Sequence, residues 1–187
     1  MNKKEICKIH LENRMKMSLS EVDKLSTKIN QKISSIVESL SNVFKIGLFY
    51  PFKNEVNVLN LREKLGNDKF KFLLPKVIDK GLPLKYYSYS KNYHSLKKGF
   101  GGVMEPIGKK SENPDILIAS CSAFNQDGFR VGYGGGFFDR TINELRKKKD
   151  IKIILAAFEL QKTNIQFQES FDEKVDYICT ENKTYII

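Results

Sequence analysis

The centres of DILIAS (115–120) and IKIILAAF (151–158) are unbroken apolar runs, and they limit the chain more than any other feature. A strand with one wet face alternates apolar and polar residues. A strand apolar on both faces must be covered on both, which calls for a parallel sheet between layers of helix. KIGLFY (45–50), KFLLP (71–75, closed by its proline), LKYYSYS (84–90) and VDYICT (175–180) read as further strands. Helices are predicted between them. Ser18 and Glu21 form a capping box ahead of Val22, Leu25, Ile29, Ile33, Ile36, Val37 and Leu40 at helical spacing. EVNVLNLREKL (55–65) reads as a short helix, and FFDRTINELRKK (137–148) carries Phe138, Ile142 and Leu145 on one stripe. This alternation predicts a single α/β domain over 1–187, three layers deep with a mostly parallel central sheet and a binding site at the carboxyl ends of its strands.

Composition narrows the partners. No stretch approaches the roughly 18 apolar residues of a membrane helix, and MNKKEICKIHLENRMK has no signal-type apolar segment, so the chain is expected in the cytoplasm. Cys7, Cys121 and Cys179 lack any metal-binding spacing and are expected to be reduced thiols. The net charge of +10 suits a nucleic acid, an anionic membrane or a polyanionic small molecule. Its one dense run, RKKK (146–149), falls at a helix end, where cations favour the dipole. That run reads as a solvated helix end more than as a nucleic-acid patch, and the charge by itself leaves all three partners open.

GFRVGYGGGFFDR (128–140) sits between a strand and a helix. Freezing consecutive glycines is entropically expensive, so Gly134, Gly135 and Gly136 suggest a compensating ligand and positive φ angles. The Walker pattern fails, because Phe137 stands where lysine is required, and the dinucleotide pattern fails on spacing. The physics of a glycine loop entering a helix still favours an anion. Arg130 and Arg140 bracket the loop with planar donor forks, and Asp139 offers an oxygen of the kind magnesium prefers. The alternative is a tight connector and nothing more.

DGFRVGYGGGFFDR (127–140) resembles the signature of the 5-formyltetrahydrofolate cyclo-ligase (methenyltetrahydrofolate synthetase) family, with Val131 for a leucine and Phe137 and Phe138 for tyrosines. FYPFKNEV (49–56), LLPKV (73–77), FGGVMEP (100–106), DILIASCSAFNQDG (115–128), AAFELQ (156–161) and VDYICTE (175–181) follow in the family's order. Ser120 and Cys121 replace a usual proline and glycine, and Cys7 replaces the arginine of an N-terminal Lys-x-x-x-Arg pair. The resemblance implies a fold of the NagB/RpiA/CoA-transferase-like kind. It also implies ATP- and magnesium-dependent conversion of 5-formyltetrahydrofolate to 5,10-methenyltetrahydrofolate through a phosphorylated formyl group, by a monomer whose partners are these small molecules and neither nucleic acid nor a membrane. Competing readings are a relative that binds ATP and folate without turnover, and a basic nucleic-acid-binding module.

The resemblance also assigns residues. Arg130, Tyr133 and Arg140 are expected at the chemistry, with Lys3, Lys4, Arg14, Gly132, Gly134, Gly135, Gly136, Phe137 and Asp139 joining them at ATP. Without an arginine at position 7, either Lys4 or Lys8 substitutes or Lys3 and Arg14 act alone. The N-terminal segment, poor in apolar contacts, is expected to order only around the nucleotide. Glu55 would accept hydrogen bonds from a pterin, its alternative being a helix-start partner. Phe52, Lys76, Tyr133, Gly134 and Phe137 complete the folate side, and Asp139 and Asp176 are the magnesium ligands. Tyr133, held between glycines, is expected to lie over a ligand, whereas Phe138 is expected in the core. Glu105, ahead of Pro106, reads as part of a turn. His10 and His94 receive no catalytic role.

Overall fold

The structure, a computed structural model, describes residues 1–66, 69–89 and 95–187. In chain order it contains α1 (Lys3–Met15), α2 (Leu19–Ser39), β1 (Lys45–Gly47), α3 (Leu61–Leu65), β2 (Lys71–Lys76), β3 (Lys85–Ser88), β4 (Leu96–Lys98) and β5 (Met104–Pro106). Then come β6 (Ser111–Glu112), β7 (Ile116–Ala119), β8 (Ala123–Phe124), β9 (Arg130–Val131), α4 (Phe137–Arg146), β10 (Lys152–Ala156), β11 (Tyr177–Cys179) and β12 (Thr184–Ile186).

Eight strands form one sheet in the order β12-β11-β10-β7-β1-β2-β3-β6. Its centre, β11-β10-β7-β1-β2, is parallel, and the edges β12, β3 and β6 join antiparallel. The two-sided apolar runs are buried as the sequence requires. Ile116 and Ile118 of β7 join Ile29, Ile33 and Val37 of α2 in one cluster, while Leu117 and Ala119 join Ile142 and Leu145 of α4 in another. Each such aliphatic side chain withdrawn from water contributes roughly 1.5 to 3 kcal/mol. From β1 the chain moves to β2 on one side, and β7 later pairs on the other. The strand order therefore reverses between β1 and β7, where an open α/β sheet leaves a crevice at its carboxyl edge.

Several elements differ from the sequence reading. KIGLFY is strand only to Gly47, although the Leu48 N–H still donates to the Leu73 carbonyl at 2.8 Å. EVNVLNLREKL splits into a 3₁₀ turn at Val58–Asn60 and the one-turn α3. Pro75 lies inside β2 opposite Tyr86, beyond the level where β1 pairs, so its missing N–H costs no ladder bond there. The end of the predicted strand 84–90, at Ser90, and His94 lie outside the described residues.

The largest correction is at the N-terminus, which is a helix and not a segment awaiting a nucleotide. Asn2 and Glu5 close a capping box, and Ile6 and Arg14 are fully buried. Ile6 packs with Ala123, Val131 and Phe167 in a third cluster beneath the β8–β9 hairpin. Ile6→Ala should therefore destabilise the protein by about 2 to 5 kcal/mol and open residues 1–15 to protease, whatever nucleotide is added. Urea unfolding and limited proteolysis would check this.

Candidate active site

Beyond the carboxyl ends of β1, β2 and β7 lies a cavity of about 550 Å³, walled by the loops after those strands and by the glycine loop ahead of α4. From the β1 loop come Phe52 and Glu55, from the β2 loop Lys80, and from the β7 loop Ser120 and Cys121. Arg130, Gly132, Tyr133, Gly134, Gly135, Gly136, Phe137, Phe138 and Asp139 form a further wall, and Phe100, Val103 and Glu105 line another side.

The glycines are explained individually. Gly134 and Gly136 hold φ of 88° and 61°, where an L side chain is strained. Gly135 has no positive φ; a Cβ there would stand 2.7 Å from the Phe137 ring. Gly136 caps α4 without a side-chain hydrogen bond. The first N–H groups of α4 and the positive end of its dipole thus meet the loop with no competing cap, as an anion site requires.

Glu55 reaches the cavity through a strained turn. Lys53 and Asn54 both take left-handed φ, at 51° and 56°, and the Asn54 amide donates to the Arg14 and Met17 carbonyls. The Glu55 carboxylate accepts from the Phe52 N–H at 3.0 Å and from the Tyr133 hydroxyl at 3.2 Å. Its burial lifts the carboxyl above the ordinary carboxylate range, against the pull of the Arg14 charge and these hydrogen bonds.

Arg14, expected at phosphate, has its donors engaged within the protein. It is fully buried, and it donates from Nε to the Lys53 carbonyl at 2.9 Å, from Nη1 to the Cys121 carbonyl at 2.7 Å and from Nη2 to the Tyr133 hydroxyl at 2.5 Å. Arg130 is likewise committed. Buried under the Phe138 ring, it donates to Asp139 Oδ1 and to the Glu173 carbonyl, each at 3.0 Å. Asp139 Oδ1 also accepts from the Glu173 N–H at 3.2 Å. Arg140 donates from Nη2 to the Gly135 carbonyl at 2.6 Å and lies over Phe137, while its buried Nε has no partner among the described residues.

Other predicted residues lie elsewhere. Lys3 pairs with Glu169 at 2.7 Å and Asp172 at 2.6 Å, and Lys4 is exposed on α1. Lys76 sits over the Tyr87 ring and does not line the cavity; Lys80 does. Asp176 accepts from the Ile153 N–H at 2.8 Å and pairs with Arg146 at 3.2 Å, away from the cavity wall. No group of three or more His, Cys, Asp or Glu is placed to hold a metal among the described residues. Glu105 is a buried strand residue of the wall, accepting from the Val77 and Phe100 N–H groups. Tyr133 lies over the cavity, 45% exposed, and Phe138 is half-buried between both main clusters.

The fold and this geometry define an α/β protein in which an uncapped helix start and a buried carboxylate face one ring-lined cavity. The profile of the 5-formyltetrahydrofolate cyclo-ligase family matches residues 1–181, and the chain belongs to that family. The 5-formyltetrahydrofolate cyclo-ligase of Mycoplasma genitalium is 26% identical over 178 residues, 95% of this chain and 94% of that protein. The Mycoplasma pneumoniae cyclo-ligase is 27% identical over 182 residues, 97% and 99% of the two chains. The solution structure of Aquifex aeolicus 5,10-methenyltetrahydrofolate synthetase, 27% identical, superposes with a TM-score of 0.81 over 100% of this chain and 93% of that one. The Mycoplasma pneumoniae synthetase shares the fold at 23% identity, with a TM-score of 0.77 over 97% of this chain and 99% of that one.

The raised Glu55 carboxyl sets a stability test. It holds its proton more tightly folded than unfolded, so its contribution is present below its ordinary value of 4.5 and is lost as pH rises through the higher native value. Glu55→Gln removes that loss. Its stability relative to wild type should climb as pH rises above about 4.5 and level off once the native carboxyl has ionised, as read by thermal unfolding across a pH series.

Proposed function

We propose that the protein catalyses the ATP- and magnesium-dependent cyclisation of 5-formyltetrahydrofolate to 5,10-methenyltetrahydrofolate, releasing ADP and phosphate. One observation carries this reading: the uncapped start of α4 and the Glu55 carboxylate face the same cavity. Phosphate donors and a pterin acceptor can therefore serve one pair of substrates. Family membership and the names of the relatives support it.

The formyl oxygen of an amide is a poor leaving group, and phosphorylation corrects this. That oxygen attacks the γ-phosphorus while the bond to ADP breaks, giving an iminium phosphate. N10 of the folate attacks the formyl carbon and loses its proton, and the carbon–oxygen bond breaks as phosphate leaves. The chain's part is placement and charge neutralisation. The loop N–H groups cradle the phosphates, and Arg140 braces the loop through the Gly135 carbonyl. Glu55 accepts the pterin's N–H donors, the rings of Phe52, Phe137 and Tyr133 wall the ligand from water, and Lys80 meets the folate carboxylates.

Magnesium commonly takes one or two carboxylates and leaves the rest of its shell to phosphates and water. The donors fit that habit, because Asp139 stands beside the loop with Oδ1 committed and Oδ2 available. When bound, the ion neutralises charge on the transferring phosphate. Asp176 is left out of the proposed site.

Absorbance of methenyltetrahydrofolate should appear with 5-formyltetrahydrofolate and Mg·ATP and vanish when ATP is withheld or EDTA is added. Binding of both ligands without product would overturn the proposal. Arg140→Ala should lower kcat/KM for ATP about tenfold, the cost of one charge-assisted contact, with little change in the KM for folate. Arg130→Ala should instead destabilise the fold by about 3 to 5 kcal/mol, since it leaves Asp139 unpaired in a partly buried site.

A further inference from the structure

Resting on that reading, we propose that Tyr133 is a displaceable latch between the two substrate sites. Its hydroxyl holds the Glu55 oxygen that a pterin needs, and the swing that frees this oxygen lets the glycine loop close on phosphate.

Glu55 lines the cavity yet is only 5% exposed, with one oxygen on the Phe52 N–H, the other on the Tyr133 hydroxyl, and the Ser120 hydroxyl also bonding the carboxylate. The Tyr133 hydroxyl fills one acceptor position of that second oxygen on the cavity side, so a ligand donor approaching there displaces it. The ring is built to move. It is half-exposed, it meets Phe52 only edge-on at 6.2 Å, and it is set between Gly132 and Gly134, where a Cβ would meet nothing within 4 Å. Its polar anchors are Arg14 Nη2 and Glu55 Oε1. Arg14 keeps its place when the ring leaves, because Nε and Nη1 stay bonded to the Lys53 and Cys121 carbonyls. The Lys53 ammonium, over both the Phe52 and Tyr133 rings, is the other charge at this spot.

Tyr133 is also part of the loop that leads into α4 through Gly134 and Gly136. The hydroxyl anchor therefore fixes the loop that must wrap phosphate. Occupation of the pterin site releases it, so each substrate favours the other by the same factor.

Tyr133→Phe keeps the ring and removes the anchor. Isothermal titration with 5-formyltetrahydrofolate should show binding about three- to tenfold tighter than wild type, the worth of one hydrogen bond no longer displaced. A non-hydrolysable ATP analogue with magnesium should tighten folate binding several-fold in wild type and by a factor near one in the variant. Amides 132–136 should exchange hydrogen faster in Tyr133→Phe with no ligand added. Weaker folate binding by the variant would show that the hydroxyl contacts substrate, and unchanged coupling or unchanged exchange would show that the loop is not held by it. Either result overturns the latch and leaves the proposed activity standing. Failure of the wild type to bind 5-formyltetrahydrofolate overturns both.

Discussion

A guanidinium with no exposure to water is costly unless its donors are satisfied and a counter-charge lies near. Arg14 meets that demand by drawing separate stretches of chain onto one cation. Its own helix α1 approaches from one side, the strained Lys53–Asn54 turn gives a carbonyl, the end of β7 gives another, and the glycine loop gives the Tyr133 hydroxyl. Glu55 supplies the counter-charge one hydroxyl away. The cavity wall is therefore cross-braced from behind by a residue that does not line it. A helix of otherwise polar composition becomes necessary to a site formed by strands far along the chain.

The sheet determines where that brace must act. Because β7 and β10 are apolar on both faces, they lie inside the sheet with α2 on one side and α4 on the other. With β2 and β7 on opposite sides of β1, the crevice opens between the β1 and β7 loops, which deliver Glu55 and Ser120. α4 follows the glycine loop and points its dipole into the same opening. One topological fact thus brings the acceptor and the anion site together.

What was legible in the sequence was local. The unbroken apolar runs, the Ser18–Glu21 box and the helix after the glycine loop carry their signals within a few residues, and all three are present in the structure. The Asn2–Glu5 box has the same short-range form, but the buried residues of α1 are Ile6 and Arg14, and an arginine does not advertise an inner face. The Glu55–Tyr133 contact joins residues 78 apart, and no spacing rule reaches that far. Lys76 and Lys80 are equally basic in sequence. The strand end turns the first onto Tyr87 and the following loop carries the second to the cavity. Gly135 shows a subtler limit: its need for a missing side chain comes from the Phe137 ring, not from φ.

Two of the departures from the family pattern, at Cys7 and Cys121, meet at one joint. The Cys7 thiol, packed against the third apolar cluster, donates to the Ser122 hydroxyl at 3.2 Å, next to the Cys121 carbonyl that accepts from both Arg14 and Gln161 at 2.7 Å. Where the family resemblance leads one to expect an arginine, Cys7 seals α1 onto the loop after β7. Lys3, its neighbour one turn earlier, is committed to Glu169 and Asp172. Under the proposed activity, phosphate charge then falls to the loop N–H groups, the α4 dipole of about half an elementary charge, Arg140 and the metal. That division suits a transition state whose charge is spread over several oxygens, since backbone donors and a divalent ion can meet all of them at once where a single flexible lysine meets one.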